Sequence, residues 1–275
     1  GQDAALDKNR AALRAIASAG HEIANHSFHH EPWLHLYSAA EVEREIAAAE
    51  DAIEAATGVR TLGFRGPGFS LSKVVLETLQ RRGYDYDAST FPTFIGPLAR
   101  AYYFLNAKLT PQERQKRNGL YGTLADGLRP LTPYVWQLDG GNLVELPVST
   151  MPVVRVPFHL SYIMFIAGYS PALARTYFST GLRMCALAGV EPSLLLHPLD
   201  ALGADDVPEL RFFPGMALPS SLKLELLDEA LGELGERHRV LAMGDYAARI
   251  KAAGKLKSRM PHIRQSEDGR TASPA

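Results

Sequence analysis

The chain of 275 residues is 46% hydrophobic, which is enough to bury the core of one large α/β domain. Its 29 basic and 30 acidic residues nearly balance, which excludes a strong positive electrostatic field that would attract nucleic acid. We therefore expect no nucleic-acid partner. No apolar run is long enough to span a membrane, and the single cysteine, Cys185, excludes an internal disulfide.

The first third of the chain alternates helical patterns with short strand-like runs. Helices are predicted over 4–19, 38–57 and 71–82, and strands over 21–24, 59–65 and 84–87. The helix boundaries rest on Gly20, Gly58 and Gly83 as caps, and on a capping box between Ser38 and Glu41. Because each helix leads into a strand, the pattern favours a parallel sheet.

Residues 91–140 interrupt this alternation. The stretch contains five prolines and a polar segment over 112–118, which is typical of a long insertion. The alternation then returns, with helices predicted over 170–189, 221–235 and 244–253 and strands over 143–148, 193–196 and 239–243. We therefore assign 1–255 to one domain and predict that the polar residues 256–275 form a disordered tail.

Two histidines follow the first predicted strand. His26 and His30 are four residues apart, so one helical turn would place both imidazole rings on the same face, where they could share a metal ion. A packing or capping role for the pair is an equally good interpretation of the spacing alone. His21, His29 and His35 have no partner at ligand spacing, and for them we predict structural roles.

Arg65 and His197 stand at the ends of two further predicted strands. Arg65 begins a loop stiffened by Pro67 and opened by Gly68, where its fixed charge could orient a carboxylate. His197 follows the apolar run 193–196 and could act as a general acid. The alternatives are a salt bridge at the strand end for Arg65 and a buried, hydrogen-bonded ring for His197.

These segments together resemble the polysaccharide deacetylases, the NodB-homology domains of carbohydrate esterase family 4. Residues 20–30, Gly-His-Glu-Ile-Ala-Asn-His-Ser-Phe-His-His, resemble the family's second motif, and residues 65–68, Arg-Gly-Pro-Gly, resemble the third. Residues 87–89 and 195–197 stand in the places of the fourth and fifth motifs. The resemblance implies an α/β fold, a distorted and incomplete (β/α) barrel whose site lies at the carboxyl ends of its strands.

The resemblance also implies a role for each residue. His26 and His30 would bind a divalent metal ion, and zinc is the metal that we expect. Arg65 would hold a catalytic aspartate. His197 would protonate the departing sugar amine, and Asp87 would keep His197 charged. The family's first motif, which carries the aspartate base and the third metal ligand on the first strand, has no counterpart in these residues, so we expect part of the active site to lie outside them.

The function that this resemblance implies is removal of an acyl group, acetyl or formyl, from an amino sugar or glycan. Residues 145–148 are similar to a segment of deacylases that act on lipid-linked sugars, so a lipid-linked sugar is among the expected substrates. Pro67, Gly68 and Trp136 are expected to contact the substrate. Aromatic residues of the insertion favour stacking on a sugar, namely Tyr102, Tyr103, Tyr134 and Trp136. The alternative is that these residues belong to the core, as aromatic residues at such spacing more often do.

Two alternatives stay open. One is a hydrolase of linear or cyclic amides, such as ureides, on the same fold, and the other is a non-catalytic glycan-binding module that lacks the base aspartate. The lone cysteine favours a cytoplasmic or membrane-peripheral protein, and a sequence that begins at Gly1 leaves room for an upstream signal. The sequence indicates no oligomeric state.

Overall fold

A computed structural model of the protein describes residues 1–96 and 124–261. Its sheet has five strands within these ranges: β1 Gly63–Phe64, β2 Tyr86–Asp87, β3 Tyr134–Leu138, β4 Gly141–Glu145 and β5 Ser258–Arg259. Their order is β1-β2-β4-β3-β5, and every neighbouring pair is parallel except the β3–β4 hairpin. The described part of the sheet is open, which confirms the predicted α/β architecture of an incomplete barrel.

Eight α-helices surround this sheet within the described ranges: α1 Gln2–Ala5, α2 Asp7–Ser18, α3 Ala39–Thr57, α4 Lys73–Arg81, α5 Leu160–Ala167, α6 Pro171–Ala188, α7 Ser220–Arg237 and α8 Met243–Ala252. The predicted caps of α3 are confirmed. Ser38 and Glu41 form a reciprocal capping box at the start of α3, and Ser170 caps α6. Gly58 and Gly189 end the same two helices in the left-handed conformation.

Three predicted strands are wrong. The segments 21–24, 193–196 and 239–243 form no ladder, although Asn25 makes a single parallel bridge to Phe64. The apolar run 193–196 is held by isolated hydrogen bonds instead, for example from the Leu160 amide to the Leu195 carbonyl (3.1 Å). An apolar run without a neighbouring strand to pair with therefore stays extended but irregular. The predicted helix 4–19 is also divided, because Leu6 adopts an extended backbone between α1 and α2.

The region predicted as an insertion contributes to the sheet. Strand β3 lies inside 91–140 and pairs with β4 over five residues, with alternate side chains buried. The predicted tail also begins with order, because Ser258 and Arg259 pair with Val135 and Trp136. Residues 97–123, which include Tyr102 and Tyr103, and residues 262–275 lie outside the described ranges. Helix α5 was not predicted from the sequence, since its eight residues are almost wholly apolar and show no helical period.

Two large hydrophobic cores form in the described part of the fold. One packs α3 and α4 against the sheet and includes Ile46, Phe64 and Leu79. The other joins α5, α6 and α7 and includes the buried Cys185. No helix in the described ranges combines the length and the hydropathy that a membrane span requires. The first core fixes β1 through Phe64, and a smaller cluster packs Tyr86 of β2 against Val144 and against Ala247 of α8.

Candidate active site

The loop that carries His26 and His30 is not helical. Asn25 joins the sheet edge through hydrogen bonds to the backbone of Gly63 and Arg65, and the chain then turns through left-handed backbone at Ser27 (φ 60°) and His30 (φ 58°). These turns bring the two imidazole rings to a centroid distance of 4.8 Å at an interplanar angle of 61°. The predicted proximity of the two rings is therefore present, although a turn and not a helix produces it.

The His26 ring has a defined orientation. Its Nδ1 lies 2.5 Å from the Arg65 carbonyl oxygen, and because a carbonyl only accepts, Nδ1 carries the proton and Nε2 keeps its lone pair. Burial lowers the pKa of His26 to about 4, and burial also lowers the pKa of His30. Both rings are therefore neutral at neutral pH. A neutral imidazole whose second nitrogen is held by a backbone carbonyl is the usual form of a metal-binding histidine.

The rest of the loop is held by Glu45 of α3, a carboxylate that is almost fully buried. It accepts hydrogen bonds from the backbone amides of Phe28 and His29, and its second oxygen is paired with the His29 ring. Ser27 completes the turn, because its hydroxyl accepts from the His30 amide (3.1 Å). His29 is thus turned away from the His26–His30 pair and has the structural role that we predicted.

Arg65 lies directly behind the histidine loop. Its Nε donates to the Ala88 carbonyl (3.0 Å), and Nη2 contacts the Met243 sulfur (3.8 Å). Burial lowers the pKa of the guanidinium, whereas the charges of nearby acidic groups, including Asp87, raise it. No carboxylate of the described residues lies within salt-bridge distance of Arg65. Among the described residues, Arg65 therefore does not form the strand-end salt bridge that was the alternative interpretation.

Asp87 does not contact His197 in the described structure. Its carboxylate accepts from the Ser89 hydroxyl (2.6 Å) and amide (3.2 Å), and it is fully enclosed beside Glu145. The nearest carboxylate to the His197 ring is instead that of Asp200, 3.8 Å from Nδ1. The role of keeping His197 charged was assigned to Asp87 because Asp87 follows a predicted strand. It does lie at the end of β2, but its side chain lies beside Glu145 of the neighbouring strand β4.

Asp87 and Glu145 form a coupled buried pair. Burial raises the pKa of Asp87, and burial together with the charge of Asp87 raises the pKa of Glu145 well above its usual range. Glu145 also accepts from the Thr90 amide (2.8 Å) and from the Trp136 indole (2.6 Å). The folded pair therefore keeps one proton between its two carboxylates that an unfolded chain releases above about pH 4.

This proton makes stability depend on pH. Since the folded state binds more protons, the stabilising contribution is complete below about pH 4 and is lost as pH rises through the folded pKa. Glu145→Gln replaces one of the two carboxylates by a neutral amide, so the folded variant no longer needs to keep this proton. We therefore expect the stability difference between Glu145→Gln and wild type to grow above pH 4, by about 1.4 kcal/mol for each pH unit up to the folded pKa. Urea unfolding from pH 4 to 8 measures this difference in unfolding free energy.

Asp139→Asn, on an exposed carboxylate paired with Lys73, is the control and should have a small effect. If the unfolding free energies of Glu145→Gln and wild type changed with pH in parallel, the folded pair would not keep this proton.

His197 lies on the open side of the site, with its side chain 51% exposed. Its Nδ1 is 3.0 Å from the Ser161 hydroxyl, and its backbone amide donates to Asp200 (2.7 Å). It is close enough to His30 for charge repulsion from His197 to contribute to the lowered pKa of His30. The structure therefore brings together His26, His30, Arg65 and His197. The alternative of a buried His197 ring is wrong.

His159 is a site residue that the sequence reasoning missed. Its ring centroid is 6.1 Å from that of His197, and burial, followed by the charges of His197 and Arg65, lowers the pKa of His159 to about 3. The side chain is only 7% exposed and contacts the rings of Phe91 and Tyr162. No spacing motif marks it. The one available signal was a lone histidine immediately before the apolar run 160–167.

The predicted substrate contacts are only partly accessible. Trp136 is 2% exposed, stacks edge-on against Tyr134 and donates to Glu145, so its predicted contact with substrate is wrong, as is sugar stacking by the equally buried Tyr134. Pro67 is also buried. Gly68 is exposed with φ of 58°, and a Cβ there would lie 2.9 Å from the Pro32 side chain, so this position requires glycine.

His26 and His30 fit two of the three protein ligands that a catalytic zinc ion requires, because both are neutral nitrogen donors with adjacent rings. The ranges 1–96 and 124–261 contain no group of three or more His, Cys, Asp or Glu side chains arranged to hold a metal.

The polysaccharide deacetylase family model matches residues 2–86. The resemblance to the polysaccharide deacetylases is therefore confirmed over this segment. It contains His26, His30 and Arg65 and ends before Asp87 and His197. A search of curated proteins gives no match.

Solved structures extend the likeness of fold beyond the matched segment. A candidate polysaccharide deacetylase from Mycobacterium smegmatis has a TM-score of 0.60 at 20% identity, with 94% of this chain and 72% of that chain covered. At this identity the similarity concerns the fold alone. A family 4 carbohydrate esterase from Streptomyces lividans, solved in complex with acetate, shares 28% identity over 32% of this chain and 43% of that chain. Its TM-score of 0.29 supports no statement about a shared fold.

Proposed function

We propose that the protein is a metal-dependent deacylase that removes an acetyl or formyl group from an amino sugar or glycan. The observation that carries this proposal is the His26–His30 pair, whose rings lie 4.8 Å apart inside the segment that the family model matches. His197, the proposed proton donor, stands on the same side of the site and within electrostatic range of His30.

His26 and His30 would hold the metal ion, which we propose to be zinc. When bound, zinc would lower the pKa of a coordinated water toward neutrality and polarise the acyl carbonyl. The Arg65 carbonyl keeps the His26 Nε2 lone pair available by accepting from Nδ1, so the backbone of the third motif orients a residue of the second.

His197 would deliver the proton that the leaving group needs. When the carbonyl carbon–nitrogen bond of an N-acyl sugar breaks, its electron pair goes to the nitrogen, and a proton from His197 Nε2 converts this group into the free amine. In an O-acyl sugar the leaving oxygen would take the same proton. His197 is suited to this by its exposure and by the engagement of Nδ1 with Ser161, which leaves Nε2 as the exchanging atom.

The sugar itself would rest on half-buried aromatic rings next to His159. Phe69 and Phe91 lie 4.5 Å apart, and Phe91 also approaches His159 at 5.9 Å. Apolar ring faces of this kind pack against the C–H faces of sugars. Gly68, beside Phe69, would keep the backbone close to the substrate. We propose an oligomeric or lipid-linked glycan as the substrate class.

An assay of the full-length protein with added zinc tests this function. We expect free amine and acetate to appear from an N-acetylated amino-sugar oligomer, and the reaction to stop when a chelator removes the metal. Turnover of a cyclic ureide without turnover of the acetylated oligomer would instead establish the alternative amide hydrolase. Binding of the oligomer without any acetate release, in protein with zinc bound, would establish the glycan-binding module.

A further inference from the structure

The residue that orients His197 is not the one that the family pattern names. The first turn of α5 lies against the segment that ends at His197, and two hydrogen bonds join them. One runs from the Leu160 amide to the Leu195 carbonyl (3.1 Å), and the other links Ser161 Oγ with His197 Nδ1 (3.0 Å). Helix α5 packs in turn against α6, so this turn is a rigid support.

His159, the residue before α5, supports the same ring from a second direction. Its ring lies at 63° to that of His197, an edge-to-face arrangement, and it is itself wedged against Phe91 and Tyr162. Its Nδ1 is buried without a hydrogen-bond partner in the part of the chain that the structure describes. A buried polar atom left in this state normally has a functional or steric reason.

We propose that Ser161 and His159 are positioning residues for His197, and that the Ser161 hydroxyl takes the place of a carboxylate at its Nδ1. This inference rests on the proposed role of His197 as proton donor. A hydroxyl oxygen accepts from Nδ1–H both before and after His197 gives up its Nε2 proton, so the ring keeps one orientation through the reaction. Asp200 adds a second constraint, because its carboxylate accepts from the His197 amide.

Ser161→Ala in the full-length zinc-bound protein is the test. We expect kcat to fall about tenfold, the effect of one lost hydrogen bond, with KM changed less than about twofold and zinc content unchanged. Ser161→Thr, which restores a hydroxyl, should recover most of kcat. Nitrogen-15 NMR of the His197 ring gives a readout independent of activity: the Nδ1–H tautomer should dominate in wild type and Ser161→Thr, and lose its predominance in Ser161→Ala.

His159→Phe and His159→Ala test the second support. A phenyl ring keeps the packing surface, so we expect His159→Phe to retain kcat within about threefold, and His159→Ala to lower it by about tenfold. Ser170→Ala is the matched control, since it removes a hydroxyl that caps α6 and does not contact His197. Its kcat should stay at the wild-type value.

The reference variant is His197→Ala, which separates the two levels of the proposal. If His197→Ala keeps wild-type kcat, the proton-donor role is wrong and the positioning role falls with it. If His197→Ala lowers kcat but Ser161→Ala keeps wild-type kcat and an unchanged His197 tautomer, the positioning inference alone is overturned.

Discussion

Replacement of His197 by alanine in the full-length protein is expected to lower kcat by about two to four orders of magnitude, the range for loss of a general acid. Bound zinc should remain, because the hydrogen bonds of His197 go to Ser161 and Asp200 and not to the His26–His30 loop. Steady-state kinetics and elemental analysis of the same protein sample measure the two quantities.

A change of leaving group tests the proton-donor role of His197 more sharply. An aryl acetate releases a stable phenolate that needs no proton, so His197→Ala should hydrolyse it with a loss of no more than about tenfold. His21→Ala, on an exposed histidine of the preceding segment, is the control and should match wild type on both substrates. Equal losses of His197→Ala on the sugar amide and the aryl ester, or loss of zinc, would show that His197 supports the site in another way.

The sequence predicted the residues that local signals define. Capping boxes and left-handed glycines are encoded within a few positions, so the bounds of α3 and α6 were predicted closely. The rings of His26 and His30 do lie side by side, as the four-residue spacing predicted. The spacing argument alone would have required a helix that the chain does not form, since Ser27 and His30 adopt positive φ.

What the sequence could not provide are the contacts between distant segments. The buried neighbour of Asp87 is Glu145, 58 positions along the chain, and the hydrogen-bond partner of the His197 ring is Ser161, 36 positions before it. Neither pairing has a local signature. Strand β3 was hidden for the same reason: it looks irregular among prolines, and its pairing with β4 and β5 makes it a core element. Because those neighbouring strands bury Trp136, its side chain cannot contact a substrate at the protein surface.

Loss of one imidazole from the proposed metal site should have the other large effect. His30 lies at the surface beside His26, and its amide is hydrogen-bonded to Ser27, so its side chain can be removed without disturbing the core. Because His30 has left-handed backbone, His30→Asn is the better variant, since asparagine tolerates that conformation and alanine does not. We expect zinc affinity of the full-length protein to fall by about 100-fold or more, and deacylation with it.

His29→Ala is the matched control for this experiment because it removes the adjacent imidazole, which is paired with Glu45 and faces away from His26. Its zinc affinity should stay within about threefold of wild type, while its unfolding free energy falls by about 1 kcal/mol through the lost hydrogen bond. Competition with a fluorescent zinc chelator measures affinity, and circular dichroism confirms folding in each sample. If His30→Asn and wild type bind zinc equally, or if His29→Ala loses zinc as strongly as His30→Asn, the paired rings of His26 and His30 are a packing contact and the metal lies elsewhere.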